Sequence, residues 1–215
     1  MKFEDVFPYD KEEFPFKEDY SFVVKFFNEY TEYKNFPEFF EGQAEGIGCG
    51  FHEFAGINLP NGEDQNMMCG PRIWEGPSFC MNDQELDFHQ FAVIMLTAAR
   101  VFLENMREKG ITEYRRYINL VDNTEHVYTE KRFLGDIEKF RENFLNVERI
   151  KEICYGEDYY VTDDEGVITG EHHGKEWGEE WYEKYGKYLN FDDVDKSIEA
   201  NFAAYYKRKK GVKKC

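Results

Sequence analysis

The feature that most constrains the fold is a long series of apolar residues at helical spacing between Asp87 and Gly110. Its members recur every three or four positions: Phe88, Phe91, Ala92, Met95, Ala98, Ala99, Phe102 and Met106. Such a stripe predicts a helix that buries this face. Asp87 and Gln90 resemble a capping box, and Gly110 stands where a glycine commonly ends a helix. The sequence therefore predicts a helix over 88–109.

The rest of the chain alternates shorter helical and strand patterns. Further helices are predicted over 18–34, 113–121, 130–145, 175–189 and 193–209. Strands are predicted over 46–51, 72–74 and 78–81. A β-hairpin is expected from 159–162 and 167–169, with Gly166 in the left-handed conformation of its turn and His172 and His173 in the loop that follows. The fold class is α+β, helix-dominant, with a small antiparallel sheet and a C-terminal hairpin plus helices.

The length of 215 residues allows one domain with a real core. We expect a single domain over 1–206, with a possible internal seam near 155–157. The 39 Phe, Tyr and Trp residues imply a core built largely from aromatic rings. Residues 207–215 hold six basic residues and no acidic one, and this composition predicts a disordered basic tail.

The chain is strongly acidic, with a formal net charge of −17. Without the basic segment 207–215 that charge becomes −23, and the stretch 157–183 alone holds ten acidic residues and one lysine. Such a chain is poorly suited to binding nucleic-acid phosphates directly. Its charge is better suited to binding a basic protein partner. The acidic stretch also contains Tyr159, Tyr160, Trp177, Trp181 and Tyr182. It is either a solubilising face over an aromatic core or a binding face.

If the acidic face binds a partner, the contacts should come from loop carboxylates and nearby tryptophans. The candidate partner-binding residues are Glu63, Asp64, Asp83, Glu85, Asp163, Asp164, Glu165, Trp177 and Trp181.

Features that would place the chain in a membrane or an oxidising compartment are missing from the sequence. There is no apolar run of transmembrane length and no signal-peptide pattern at the N-terminus. The five cysteines are odd in number and scattered, which favours reduced thiols. We therefore expect a cytoplasmic protein that does not engage membranes.

Motifs for catalysis or cofactor binding fail on inspection. The glycine-rich segment 46–50 lacks the third glycine of a dinucleotide-binding loop, because position 51 is Phe. His52 and Glu53 begin a zinc-protease motif, but Gly56 occupies the place of its second histidine. The hairpin turn lacks the terminal carboxylates of a calcium loop. We predict no catalytic residue, no cofactor and no metal, while an enzyme that uses clustered carboxylates with Mg²⁺ stays open as a less favoured hypothesis.

The central part of the chain carries a succession of short motifs: Gly46 to Cys49, Gly56 to Pro60, Trp74 to Met81, and Asp87 to Phe91 at the start of the long helix. Over about 40–108 this order resembles immunity proteins of bacterial contact-dependent growth inhibition, especially those that protect against ribonuclease toxins. The resemblance implies a protein without catalysis or cofactor that forms a tight complex with one cognate toxin.

Two non-enzymatic functions fit such a chain. The first is a non-enzymatic acidic inhibitor that neutralises a toxin, in particular a nuclease with a basic cleft. The alternative is a phage- or plasmid-encoded anti-defence protein that mimics DNA charge against a restriction or CRISPR nuclease.

Overall fold

The computed structural model describes residues 36–46, 49–52, 55–60, 71–75, 82–118, 125–155, 159–163 and 165–212. The helices of this part are α1 (Phe36–Ala44), α2 (Phe88–Glu108), α3 (Glu130–Phe144), α4 (Val147–Ile153), α5 (Gly174–Tyr185) and α6 (Val194–Val212). A 3₁₀ turn, Gly186–Tyr188, follows α5. The strands are β1 (Cys49–His52), β2 (Ala55–Asn58), β3 (Arg72–Glu75), β4 (Asn82–Glu85), β5 (Glu113–Ile118), β6 (Glu125–Thr129), β7 (Tyr159–Thr162) and β8 (Ile168–His172).

Helix α2 is the predicted long helix, and its ends are fixed as the sequence indicates. The Asp87 carboxylate accepts the Gln90 backbone N–H at 2.7 Å, and the Gln90 side chain accepts the Asp87 N–H at 3.0 Å. Gly110 has a φ of 66° just beyond the helix. From Phe91 to Ala99 every residue is buried, so α2 is covered on all sides rather than along one stripe.

The strands form three separate antiparallel sheets. Strands β1 to β4 form a four-stranded sheet in sequential order, while β5 pairs with β6 and β7 with β8 in two-stranded sheets. The predicted hairpin 159–169 is confirmed as β7 and β8, and Gly166 has the expected positive φ of 79°. The α+β, helix-dominant fold is likewise confirmed.

Aromatic rings hold the helices together, as the composition predicts. Phe36 and Phe40 of α1 meet Phe133 of α3 with ring centroids 6.0 and 5.2 Å apart. Phe102 of α2 reaches the same ring at 5.1 Å. Edge-to-face pairs of this kind add to the stabilisation that comes from burying apolar area. One cluster of buried residues extends from Phe36 to Tyr205, on both sides of the possible seam near 155–157.

Helix α6 lies along α2 through a polar seam. The Tyr205 hydroxyl donates a buried 2.9 Å hydrogen bond to the Asn105 side chain. The Arg100 guanidinium lies 3.8 Å from the Phe202 ring and forms an ion pair with Glu199. These contacts fix the register of the two helices, because a shift of one turn would leave buried polar groups unsatisfied.

Several sequence predictions need correction. Residues 113–118 form strand β5 and not a helix, since they pair with β6 and Tyr114 packs edge-to-face on Phe102 at 5.0 Å. The strand predicted at 46–51 is confirmed at 49–51 and reaches His52, residues 47–48 lie outside the described part, and Gly46 follows the end of α1 with a φ of 77°. Helix α6 continues to Val212, so it includes residues 207–212 of the segment for which the sequence predicts disorder.

Two other predicted elements, the helix over 18–34 and the strand over 78–81, lie outside the described residues. Strand β4, over 82–85, was not predicted, and His172, which we expected in a loop, is the last residue of β8.

Candidate interaction surface

The turn of the β7–β8 hairpin is held by hydrogen bonds from Asp163. Its carboxylate accepts the backbone N–H groups of Glu165 at 3.0 Å and Val167 at 2.9 Å. Its own backbone N–H donates to the Val167 carbonyl at 3.0 Å, and its carbonyl accepts from Gly166 at 2.9 Å. A short carboxylate that bonds the backbone ahead of it is a common turn device. Asp163 therefore shapes the turn, and its carboxylate is already used within the hairpin.

Three large apolar side chains are exposed on this hairpin. Tyr160 is 63% exposed, Val167 57% and Ile168 60%. Tyr160 and Thr162 are two residues apart on β7, and Ile168 pairs with Thr162 across the ladder. Residues that pair in an antiparallel ladder, like residues two apart on one strand, lie on the same face. Tyr160 and Ile168 therefore share one face, where Glu171 is the partner of Tyr160.

Helix α5, which follows the hairpin, carries a stripe of glutamates. Exposed glutamates occupy four positions with the spacing i, i+3, i+4 and i+7: Glu176, Glu179, Glu180 and Glu183. Residues at these spacings are neighbours on one side of a helix, where like charges repel. The opposite side holds the buried Gly174, Gly178 and Trp181. Helix α5 therefore packs by one face and presents carboxylates on the other.

Many carboxylates outside this region are ion-paired, although the exposed Glu138, Glu142 and Glu148 are not, within the described residues. Seven acidic side chains pair with arginine or lysine: Glu38 with Arg115, Glu41 with Arg132, Glu45 with Lys139, Glu130 with Arg107, Glu152 with Arg149, Asp195 with Arg141, and Glu199 with Arg100. None of the four α5 glutamates, nor Glu165, makes an ion pair within the described ranges. Glu171 lies 3.7 Å from His173, which is a cation only when protonated. Carboxylates without an ion pair therefore follow one another along the hairpin and α5, which also carries the exposed Lys175 and Lys184.

The predicted partner-binding residues are only partly brought together. Glu63, Asp64 and Asp164 lie outside the described residues. Asp83 and Glu85 are in β4, an edge strand of the four-stranded sheet, where their ladder partners are Trp74 and Arg72. Glu165 is exposed at the hairpin turn beside Asp163. Of the predicted set, the hairpin and α5 residues share one continuous segment, while β4 belongs to a different sheet.

Trp181 was wrongly expected to be a surface anchor. It is only 3% exposed, and its ring meets Phe88 edge-to-face at 5.6 Å. The helical period places it with Gly174 and Gly178 on the packed face of α5. Trp177 lies in the same helix. Sequence spacing alone could not show which side of α5 would be buried.

Sequence reasoning missed Val167 and Ile168 as candidate contact residues. The sequence held one sign of this exposure, because the β-branched Val167 and Ile168 directly follow a polar turn. A sheet of only two strands, such as β7 and β8 form, buries few of its own side chains.

A cavity of about 300 Å³ lies between the start of α2 and the 3₁₀ turn after α5. Asp87, Phe88, Tyr185, Tyr188 and Leu189 line it. The Asp87 carboxylate is engaged as the cap of α2, and the other lining groups are rings, phenols and an aliphatic chain. This lining offers no converging set of acid, base and nucleophile.

One carboxyl group has strongly altered acidity. The pKa of Asp136 is raised to about 7, first because burial disfavours its charge and then because the Glu41 and Glu45 carboxylates repel it. Lys139 acts in the opposite direction. The Tyr128 hydroxyl donates a hydrogen bond to Asp136. Altered acidity is a feature of active sites. Asp136 lies beside the contact of α1 with α3, which the ion pairs Glu41–Arg132 and Glu45–Lys139 join.

No set of three or more His, Cys, Asp or Glu residues in the described ranges is placed to hold a metal ion. Cys154 is buried, and burial raises the pKa of its thiol, which favours the unreactive protonated form. No helix in this part of the chain has both the length and the apolar character needed to cross a bilayer.

No protein-family model, curated protein or solved structure matches this chain. The resemblance to immunity proteins therefore stays a prediction.

Proposed function

We propose that this protein is a non-enzymatic inhibitor that binds and neutralises a basic protein, specifically a toxin nuclease with a positively charged cleft. The observation that carries the proposal is the uncompensated glutamate stripe of α5. Each neighbouring pair of like charges destabilises a helix by about 0.2–0.5 kcal/mol. The exposed Lys175 and Lys184 of the same helix form no ion pair with these glutamates, whereas several acids elsewhere in the fold are ion-paired.

Such a stripe suits the approach to a cationic cleft. Clustered charges of one sign raise the rate of association with an oppositely charged partner by about 10- to 1,000-fold at low salt. Because the helix is anchored in the core through Trp181, the four carboxylates are held in place before the partner arrives. The same arrangement would also serve an anti-defence protein, and the identity of the bound nuclease separates the two functions.

The direct test is co-expression with candidate nuclease toxins, chosen first from the genes adjacent to this one. We expect a complex that survives purification, restored growth of cells that express the toxin, and faster association at low salt. If the toxin gene product neither binds nor is neutralised, the immunity function is refuted. If a restriction or CRISPR nuclease is bound and inhibited instead, the anti-defence alternative replaces it.

The role of the stripe is tested by charge neutralisation. A variant with the four α5 glutamates changed to Gln should associate about tenfold more slowly with the toxin. The matched control changes four exposed but ion-paired acids to their amides: Glu38, Glu152, Asp195 and Glu199. Both variants lose four negative charges. Equal slowing in the two would show that total charge matters and the α5 stripe does not.

A further inference from the structure

The exposed face of the β7–β8 hairpin stands out from the remaining surface of the protein. Six large hydrophobic side chains are exposed in the described part of the chain: Ile111, Leu134, Tyr160, Val167, Ile168 and Tyr188. Three of these six belong to this one hairpin, and each of the three is more than half exposed. Single exposed apolar residues are ordinary, whereas a group of them on one small element marks a contact surface.

The hairpin is built to hold these side chains in place. A two-stranded hairpin on its own is only marginally stable in water. Here Asp163 fixes the turn through two side-chain hydrogen bonds, immediately before Val167 and Ile168. A fixed turn reduces the conformational entropy that a partner would have to remove on binding. The hairpin therefore combines an ordered turn with exposed apolar side chains.

Charge determines what kind of partner fits. Glu171 is the cross-strand partner of Tyr160, and Glu165 lies in the turn. Strand β8 leads through His173 directly into the glutamate stripe of α5. Apolar side chains bordered by uncompensated carboxylates complement apolar side chains bordered by lysine or arginine.

We infer that the β7–β8 hairpin is the main contact element, and that Tyr160 and Ile168 bind an apolar patch on the partner that is flanked by basic side chains. This inference rests on the proposed function and adds the place and chemistry of contact. The α5 stripe accelerates the encounter, and the hairpin face supplies the short-range contact that slows dissociation.

The test uses two synthetic peptides, each about ten residues long, on the full-length protein. In one peptide lysine alternates with valine, and in the other lysine alternates with serine, so their charges are the same. The protein variant changes Ile168→Thr, which keeps β-branching and therefore strand propensity. The control variant changes Ile111→Thr and Leu134→Gln, two positions that are each 38% exposed and lie outside the hairpin. Binding is followed by fluorescence anisotropy at low and high salt.

We expect the wild-type protein to bind the lysine–valine peptide about tenfold more tightly than the lysine–serine peptide. The hairpin variant should lose this preference, while the control variant keeps it. Amide hydrogen exchange of the Glu165 and Val167 N–H groups shows whether the turn is intact in the hairpin variant. A loss of preference with an intact turn supports the inference.

Other results overturn the inference and separate it from the proposed function. If both peptides bind equally well, or the hairpin variant keeps the preference, the contact lies elsewhere, while binding of basic partners stands. If neither peptide binds even at low salt, the proposed function fails as well. Sedimentation of the wild type and the hairpin variant tests for self-association. Self-association of the wild type that the hairpin variant abolishes would assign this face to a second copy of the chain.

Discussion

Replacement of Asp136 by asparagine should stabilise the protein at alkaline pH and have less effect in mild acid. The folded state raises the pKa of this carboxyl to about 7, from an ordinary value of 3.8. Between these two values the folded protein holds a proton that the unfolded chain has released. The free energy of unfolding therefore falls as the pH rises through this window, and the loss is complete above about pH 7.

The size of the effect follows from the same shift. About three pKa units correspond to an upper bound of about 4 kcal/mol. Because Asp136 is only half-buried, solvent screening reduces this, and we expect a net cost of about 1–2 kcal/mol for the ionised form. Asparagine is nearly isosteric and can still accept the Tyr128 hydrogen bond. Asp136→Asn should therefore raise the free energy of unfolding by about 1–2 kcal/mol at about pH 8.5, and by about 1 kcal/mol less at about pH 5.

Urea unfolding, followed by circular dichroism at the two pH values, measures this difference. Urea is preferred because it carries no charge and leaves the ion pairs between α1 and α3 unscreened. Glu138→Gln, at an exposed position of the same helix, is the matched control and should show no such pH-dependent gain. A gain for Asp136→Asn that is equal at both pH values would refute the reasoning, since it would show that the carboxyl does not change its protonation between them.

Two glycines and the hairpin turn give further predictions. A Cβ at Gly178 would overlap the Tyr155 ring and lie 2.9 Å from its Cα, so Gly178→Ala should destabilise the fold by about 2 kcal/mol in urea unfolding. Gly135, within α3, has open space around its Cβ position, and Gly135→Ala should instead stabilise by about 0.5–1 kcal/mol. Gly178→Ala and Gly135→Ala should therefore change the free energy of unfolding in opposite directions. Destabilisation by both substitutions would contradict the packing described. Asp163→Ala should speed amide hydrogen exchange of Val167 at least about tenfold while global stability changes little, and unchanged exchange would show that the carboxylate does not hold the turn.

The sequence predicted an element correctly where the residues that determine that element lie close together in the chain. The Asp87 and Gln90 cap, the apolar period of α2 and the positive φ of Gly110 all follow from residues close together in the sequence. The hairpin around Gly166 is of the same kind. Strand β5 was mispredicted because its conformation depends on pairing with β6, and a short segment read alone does not reveal that pairing.

The candidate surface was predicted only in part for a similar reason. The sequence located the acidic stretch and the hairpin turn but not the exposure of Val167 and Ile168, and it placed Trp181 on the surface. A helix with aromatic residues on several sides does not by itself reveal which side meets the core. For α5 that side is decided by Phe88, which is distant from Trp181 in the sequence but packs directly on it in the fold.

By itself, the sequence determined the α+β class, the long central helix, the aromatic composition of the core and the excess of negative charge. Only the tertiary structure decided which carboxylates are neutralised by ion pairs and which remain uncompensated along α5 and the hairpin. The physical reason is the separation in sequence of the residues that determine each property. Backbone conformation and side-chain period depend on neighbours within a few positions, whereas burial and ion pairing depend on residues that are distant in sequence and meet only when the chain has folded.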